Sequence, residues 1–386
     1  MKKTWNQHVV KKENKSLVQK IILNSSPISR TEIANVTGLN KGTVSSLVND
    51  LLEEQLIYES GIGESSGGRR PVMLIFNQLA GYSIGIDIGV NYLLGILTDL
   101  KGNIRHEKTT KLSNLSFNEI EDVLYKTIDF LIDAAPPSPY GIIGIGIGVP
   151  GTIWENGEIL LAPNLGWTNI KLKQILQEKY DLPIIIENEA NAGAYGEKHF
   201  GVGKAYSNIV YISIGIGIGT GLIIKEQLYK GKHGFSGELG HMTIEVNGKQ
   251  CKCGSDGCWE LYASEQALLE NARRLGISAG DDEELSLEYL LSLAETGHQE
   301  TLKLFEEVAN YIGVGLKNII NIFNPDQIII GNRIASAEKW LQAPIHKQID
   351  QTIGFHEDNL VFLDPATHST ALGLVAFAIE DFLGMK

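Results

Sequence analysis

Apolar residues recur at helical spacing near the start of the chain. Leu17, Val18, Ile21 and Ile22 fall at i, i+1, i+4 and i+5, which predicts an amphipathic helix over Asn14 to Asn24. Ser29-Arg30-Thr31-Glu32 has the form of a capping box and predicts a second helix that ends near Gly38. Asn40 is placed to cap a third, whose buried face carries Val44, Leu47, Val48, Leu51 and Leu52. Asn40, Lys41, Thr43, Ser45, Ser46 and Asn49 are then left facing outward. Leu56 to Glu59, a Gly/Ser-rich tip from Gly61 to Gly68, Arg69-Arg70-Pro71 and the alternating run Val72 to Phe76 predict a β-hairpin.

From Gly81 the pattern changes to short Ile- and Val-rich strands punctuated by glycine. They alternate with amphipathic helices such as Phe117 to Ala134 and Thr301 to Phe323, which predicts an α/β body. The body carries an internal repeat. Tyr82 to Gly89, a second strand and Lys101-Gly102 are echoed by Tyr211 to Gly219, Leu222 to Lys225 and Lys230-Gly231. Each copy reads as strand, Gly-rich turn, strand. Two such hairpins facing across a cleft can bring backbone amides up to phosphate oxygens.

At 386 residues with 43% apolar and 20% charged residues, the chain has room for two or three packed units. Its longest apolar run, Ile142 to Val149, is too short to span a bilayer, and the first fifteen residues lack the apolar segment of a secretory signal. A cytoplasmic protein with no membrane partner is expected. The net charge of −13 argues against nucleic acid until its distribution is considered. Residues 1–48 hold eight Lys and Arg against two Glu, so a basic head precedes an acidic body. Helix, Gly-containing turn, helix and hairpin wing, together with that charge, predict a winged helix-turn-helix over residues 1–77. Its expected DNA contacts are Arg30, the six outward residues above, and Arg69 and Arg70 at the wing base. A helical oligomerisation module would explain the helices but not the basic balance or the wing.

The chain has three cysteines, all in one segment. Glu238-Leu-Gly-His241 is followed by Cys251-Lys-Cys253-Gly-Ser-Asp-Gly-Cys258-Trp-Glu260. His241, Cys251, Cys253 and Cys258 can supply four tetrahedral ligands to zinc, which leaves no open position and so predicts a structural Zn2+. Three reduced cysteines without a metal are the alternative.

Glu-x-Gly-His followed by Cys-x-Cys-Gly-x-x-Gly-Cys-x-Glu resembles the ROK family of repressors and sugar kinases. Gly148-Val-Pro-Gly151 and Glu187-Asn-Glu-Ala-Asn191 resemble two more of its motifs, and the resemblance runs from about Gly81 to the C-terminus. It implies a two-lobed actin-like ATPase (RNase H-like) sugar-kinase fold. The first lobe is expected at 78–200, completed by a C-terminal helix at about 368–386, and the second at 201–367 with the zinc loop. It also implies that Asn188, Glu189, Glu238, His241 and Glu260 bind sugar hydroxyls, His241 serving the metal through its other ring nitrogen.

The sequence departs from the family's kinases at the phosphate side. Glu189 stands where the motif has its Asp base, and the first phosphate turn reads Asp87-Ile-Gly-Val90-Asn91 in place of Asp-Ile-Gly-Gly-Thr. Ile216 replaces a Thr hydroxyl in the second turn, and Ile330-Gly331-Asn332 lacks a second glycine on the adenosine side. No catalysis and no ATP cofactor are therefore expected, with a sugar kinase bearing a regulatory head as the alternative. A homodimer on a palindromic operator is the expected assembly. The resemblance, not the residues, implies xylose as effector, with glucose as a second candidate.

Overall fold

The computed structural model describes residues 7–62, 71–113, 115–154, 156–278, 285–350 and 355–385. Arg69, Arg70 and most of the Gly/Ser tip lie outside them.

The first helix spans Gln7–Ser25, longer than apolar spacing alone predicts. Its polar first half is tied to the third helix by the ion pairs Lys11–Asp50 at 2.7 Å and Lys15–Glu54, contacts that no local pattern announces. The second helix, Arg30–Thr37, begins on a complete capping box: the Glu32 amide donates to Ser29 Oγ, and Ser29 N–H donates to Glu32 Oε2 at 2.8 Å. It ends at Gly38, whose φ of 70° is the left-handed conformation glycine reaches without strain. Asn40 Oδ1 accepts from the Thr43 amide at 2.8 Å and opens the third helix, Lys41–Glu53. Strands Ile28–Ser29, Val72–Phe76 and Ile57–Ile62 form an antiparallel sheet beside the helices, with Val72–Phe76 in the centre.

The body contains two five-stranded mixed sheets of identical order. In the first, Tyr82–Ile88 pairs antiparallel with Tyr92–Asp99 and parallel with Ile142–Val149, while Ile104–Lys111 and Ile184–Asn188 take the edges. In the second, Ile209–Ile214 pairs antiparallel with Ile218–Ile224 and parallel with Gln327–Gly331, flanked by Gln227–Leu228 and Leu360–Phe362. The duplicated glycine-rich hairpins of the sequence are thus the equivalent central pairs of two equivalent sheets. Side chains of the second sheet share a core with Trp259, Phe305, Ile312, Leu316 and Leu341 from the helices that cover it.

The hydrophobic core of the head does not close on itself. Val18, Ile22, Val44, Leu47, Leu74 and Phe76 are continuous with Leu94, Ile96, Ile143, Ala378, Ile379 and Leu383 of the body. The last three come from the C-terminal helix Ser369–Leu383, which also crosses the helix Glu189–His199. No helix among the described residues is long and apolar enough to cross a membrane.

Candidate functional site

A cavity of about 360 Å³ opens between the two sheets, at the ends of their glycine-rich hairpins. That is within the usual range for a small-molecule site. Its wall includes Asn188, Glu189, Glu238, His241 and Glu260, so the five carboxylate, amide and imidazole side chains singled out in the sequence converge. They arrive from separate elements. Asn188 ends a strand, Glu189 starts a helix, Glu238 precedes and His241 ends a single 3-10 turn, and Glu260 starts the short helix Glu260–Ala263.

Asn188 is already employed. Its Oδ1 accepts from the amides of Ala190 and Asn191 as an N-cap, and its Nδ2 donates to Gly151 O and Glu189 Oε2. A ligand hydroxyl that engages Asn188 must therefore take the place of the Glu189 carboxylate, so the two residues act as one unit. Glu189 lies deep in the cleft. Burial, and secondarily the charge of Asp87, push its carboxyl up to about 8. Asp87 itself is pushed up to about 6 by burial, opposed by the Tyr92 hydroxyl, which donates to its Oδ2 at 2.7 Å.

The sign of the resulting pH dependence is fixed. The native protein keeps a proton on Glu189 that the unfolded chain releases near pH 4.5, so this contribution to stability is lost as pH rises from there through about 8. Thermal melts without sugar are expected to show a falling Tm across that range, and Glu189→Gln is expected to flatten the slope. A Tm that rises with pH over the same interval contradicts the assignment.

Next to the carboxylates, the ligand atoms of His241, Cys251, Cys253 and Cys258 all lie within 4.8 Å of one another. Cys253 Sγ is 3.6 Å from Cys258 Sγ, and Cys251 Sγ is 3.7 Å from His241 Nδ1. Tetrahedral bonds of about 2.3 Å place neighbouring thiolates about 3.8 Å apart, close to both of these separations, so the four side chains fit a metal. Nδ1 faces the sulfurs, which leaves Nε2 of His241 for the cavity. Glu260 Oε1 lies 3.2 Å from Cys251 Sγ and 3.5 Å from His241 Nδ1, which joins the metal-type cluster to the cavity wall.

Other cavity residues escape the motif reading, Asn164 and Tyr92 among them. Asn164 lines the wall from a loop with no periodicity to mark it. Tyr92 follows the first glycine-rich turn, and its ring packs against Gly89. An aromatic residue just past a turn expected to grip phosphate is the signal that could have identified it. A second cavity of about 300 Å³ adjoins the first and shares Asp87, Tyr92, Glu189, Ser213, Asn332 and Arg333 with it.

In the head, Asn40, Lys41, Ser46 and Asn49 are exposed, while Thr43 and Ser45 are half-buried. Arg30 is held by Glu59 at 3.0 Å, across from the second helix to the second strand.

The ROK family profile matches residues 83–379. Over 381 residues the chain is 48% identical to the xylose repressor of Bacillus spizizenii, with 98% of each chain covered. Among solved structures, a ROK family transcriptional regulator homologous to the E. coli MLC protein superposes with a TM-score of 0.82 at 28% identity, covering 97% of this chain and 98% of its own. A ROK family glucokinase from Streptomyces griseus, solved with glucose and AMPPNP, superposes with a TM-score of 0.68 at 28% identity over 77% of this chain and 99% of its own. By its profile match, its end-to-end identity and its paired sheets, this chain belongs to the ROK family.

Proposed function

We infer that this chain is a xylose-responsive transcriptional repressor: a winged helix-turn-helix head binds operator DNA, and sugar bound between the two sheets releases it. The observation that carries this reading is the likeness to a xylose repressor along the whole chain, head included. A glucokinase likeness covers 77% of the chain.

The residues support each half. Helices Arg30–Thr37 and Lys41–Glu53 across a three-residue turn, with a β-hairpin beside them, have the form of a DNA-reading head. Lys41, Ser46 and Asn49 are its exposed polar face, with the N-cap Asn40 beside them and Thr43 and Ser45 at the edge; Arg69 and Arg70, outside the described residues, would add phosphate contacts. Arg30 belongs to that set only if DNA draws it from Glu59. In the cleft, acceptors on Glu238, Glu260 and Glu189 suit the hydroxyls of a pentose. The Cys3His set suits zinc, which as a closed site would fix the loop that carries His241 and Glu260.

Catalysis is not supported. Tyr92, just past the first turn, binds Asp87, Ile216 lines the second, and Glu189 retains a proton where phosphoryl transfer needs a base. We place the chain as a homodimer on a palindromic operator, its two heads on successive half-sites, with DNA and sugar opposing each other reciprocally.

Operator DNA carrying a fluorophore tests the reading. Xylose is expected to lower the anisotropy of the complex, glucose to do so poorly or not at all, and incubation with ATP and either sugar to yield no ADP. Sugar-dependent ADP release without any retention of promoter DNA would establish the kinase reading instead.

A further inference from the structure

The C-terminal helix joins the sugar-site helix to the head, beside the contacts that Leu94, Ile96 and Ile143 make with the same core. The C-terminal helix Ser369–Leu383, about 22 Å long at 1.5 Å per residue, has its first turn against the helix Glu189–His199 and its last turn inside the core of the head. At the first turn, Thr370 Oγ1 donates to the backbone carbonyl of Glu189 at 3.1 Å, and Ser369 Oγ donates to Glu197 at 2.6 Å. The two helices then cross backbone to backbone. A Cβ on Gly373 would fall 1.7 Å from Ala192 O, and one on Gly196 would fall 2.1 Å from Ser369 O. At the far end Ser16 Oγ donates to Gly384 O at 3.1 Å. The Phe382 ring stacks edge-on with Tyr140 at 4.9 Å, and the Tyr140 hydroxyl reaches Glu54 O at 2.9 Å.

A crossing without intervening side chains has no rotamers with which to absorb a displacement. The polar contacts of the helix run along the helix Glu189–His199, from Glu189 and Glu197 at its first turn to Glu380, which accepts from Tyr195 and lies 3.7 Å from His199, whereas its contacts with the head are mainly apolar. A shift of the Glu189 backbone is therefore passed on along the helix rather than damped beside the cavity.

We propose that Thr370 is a positioning residue for induction, one that ties the sugar-contacting turn at Glu189 to the C-terminal helix and through it to the DNA-binding head. This rests on the sugar site proposed above. Its sign follows from linkage: the contact is kept with either ligand alone and given up only when sugar and DNA are bound together, so it opposes the doubly bound state.

The test uses the full chain. Operator affinity is measured by anisotropy with no xylose and with saturating xylose, and xylose affinity is measured separately by calorimetry. The ratio of the two operator dissociation constants is the coupling factor. Thr370→Val removes the donor at nearly constant volume and is expected to lower this factor by about fivefold, the scale of one hydrogen bond, with both separate affinities within about twofold of the parent. Thr370→Ser is expected to restore it. A parental coupling factor in Thr370→Val, or a loss of xylose affinity in that variant, overturns the proposal. Should Thr370→Val not fold, hydrogen exchange of the parent decides. Xylose must change protection of amides in 379–385 and 16–24, and no change there overturns the proposal equally. An error in the sugar site itself is recognised separately, as unaltered xylose binding in Glu238→Ala.

Discussion

Glu238→Ala is expected to bind operator as the parent does and to stay bound at xylose concentrations that release the parent. The Glu238 side chain stands in the cavity wall beside His241 and Glu260, on a single 3-10 turn, and is open to solvent when the cavity is empty. Truncating it therefore leaves no buried partner stranded. A carboxylate that accepts from sugar hydroxyls contributes about 1.5–3 kcal/mol per charged hydrogen bond, so xylose affinity is expected to fall by about tenfold or more. Calorimetry reads the affinity and anisotropy reads the release. Normal xylose release by the variant would remove Glu238 from the site.

Cys258→Ser is expected to have a comparable effect through the metal cluster. Cys258 is fully buried and 3.6 Å from Cys253, and the adjacent Trp259 is anchored in the second-sheet core, its indole donating to Tyr311 O at 2.8 Å. A neutral serine hydroxyl is a poor replacement for a thiolate ligand. Metal analysis is expected to fall from about one zinc per chain toward none. Xylose affinity is expected to drop at least about tenfold, because His241 and Glu260 lose the frame that orients them. Operator binding is expected to persist, since the core of the head is separate from the one that holds Trp259. Full zinc content in the variant would exclude Cys258 as a ligand.

What could be read in advance was local or repeated. The Ser29–Glu32 capping box, the Gly38 stop and the Asn40 cap depend on residues three or four apart, and the two glycine-rich hairpins announce themselves by duplication. The Cys and His cluster is legible because its ligands fall within eighteen residues. Long-range pairings were not legible. Arg30 looks free for DNA until the strand bearing Glu59 folds back onto it. Thr370 lies 181 residues from the carbonyl it binds, and a threonine at the start of a helix has no pattern to distinguish it. Tyr92 gains its meaning only when the turn brings its hydroxyl to Asp87.

The continuity between the core of the head and the C-terminal helix bears on how such regulators can be recombined. A graft that transfers residues 1–77 alone leaves Val18, Ile22 and Phe76 without Ile379 and Leu383, and it uncovers the apolar end of the donor helix. The exchangeable unit is discontinuous, with one part from each end of the chain. A chimera that is to answer a new sugar at an old promoter must carry both, or rebuild their contact.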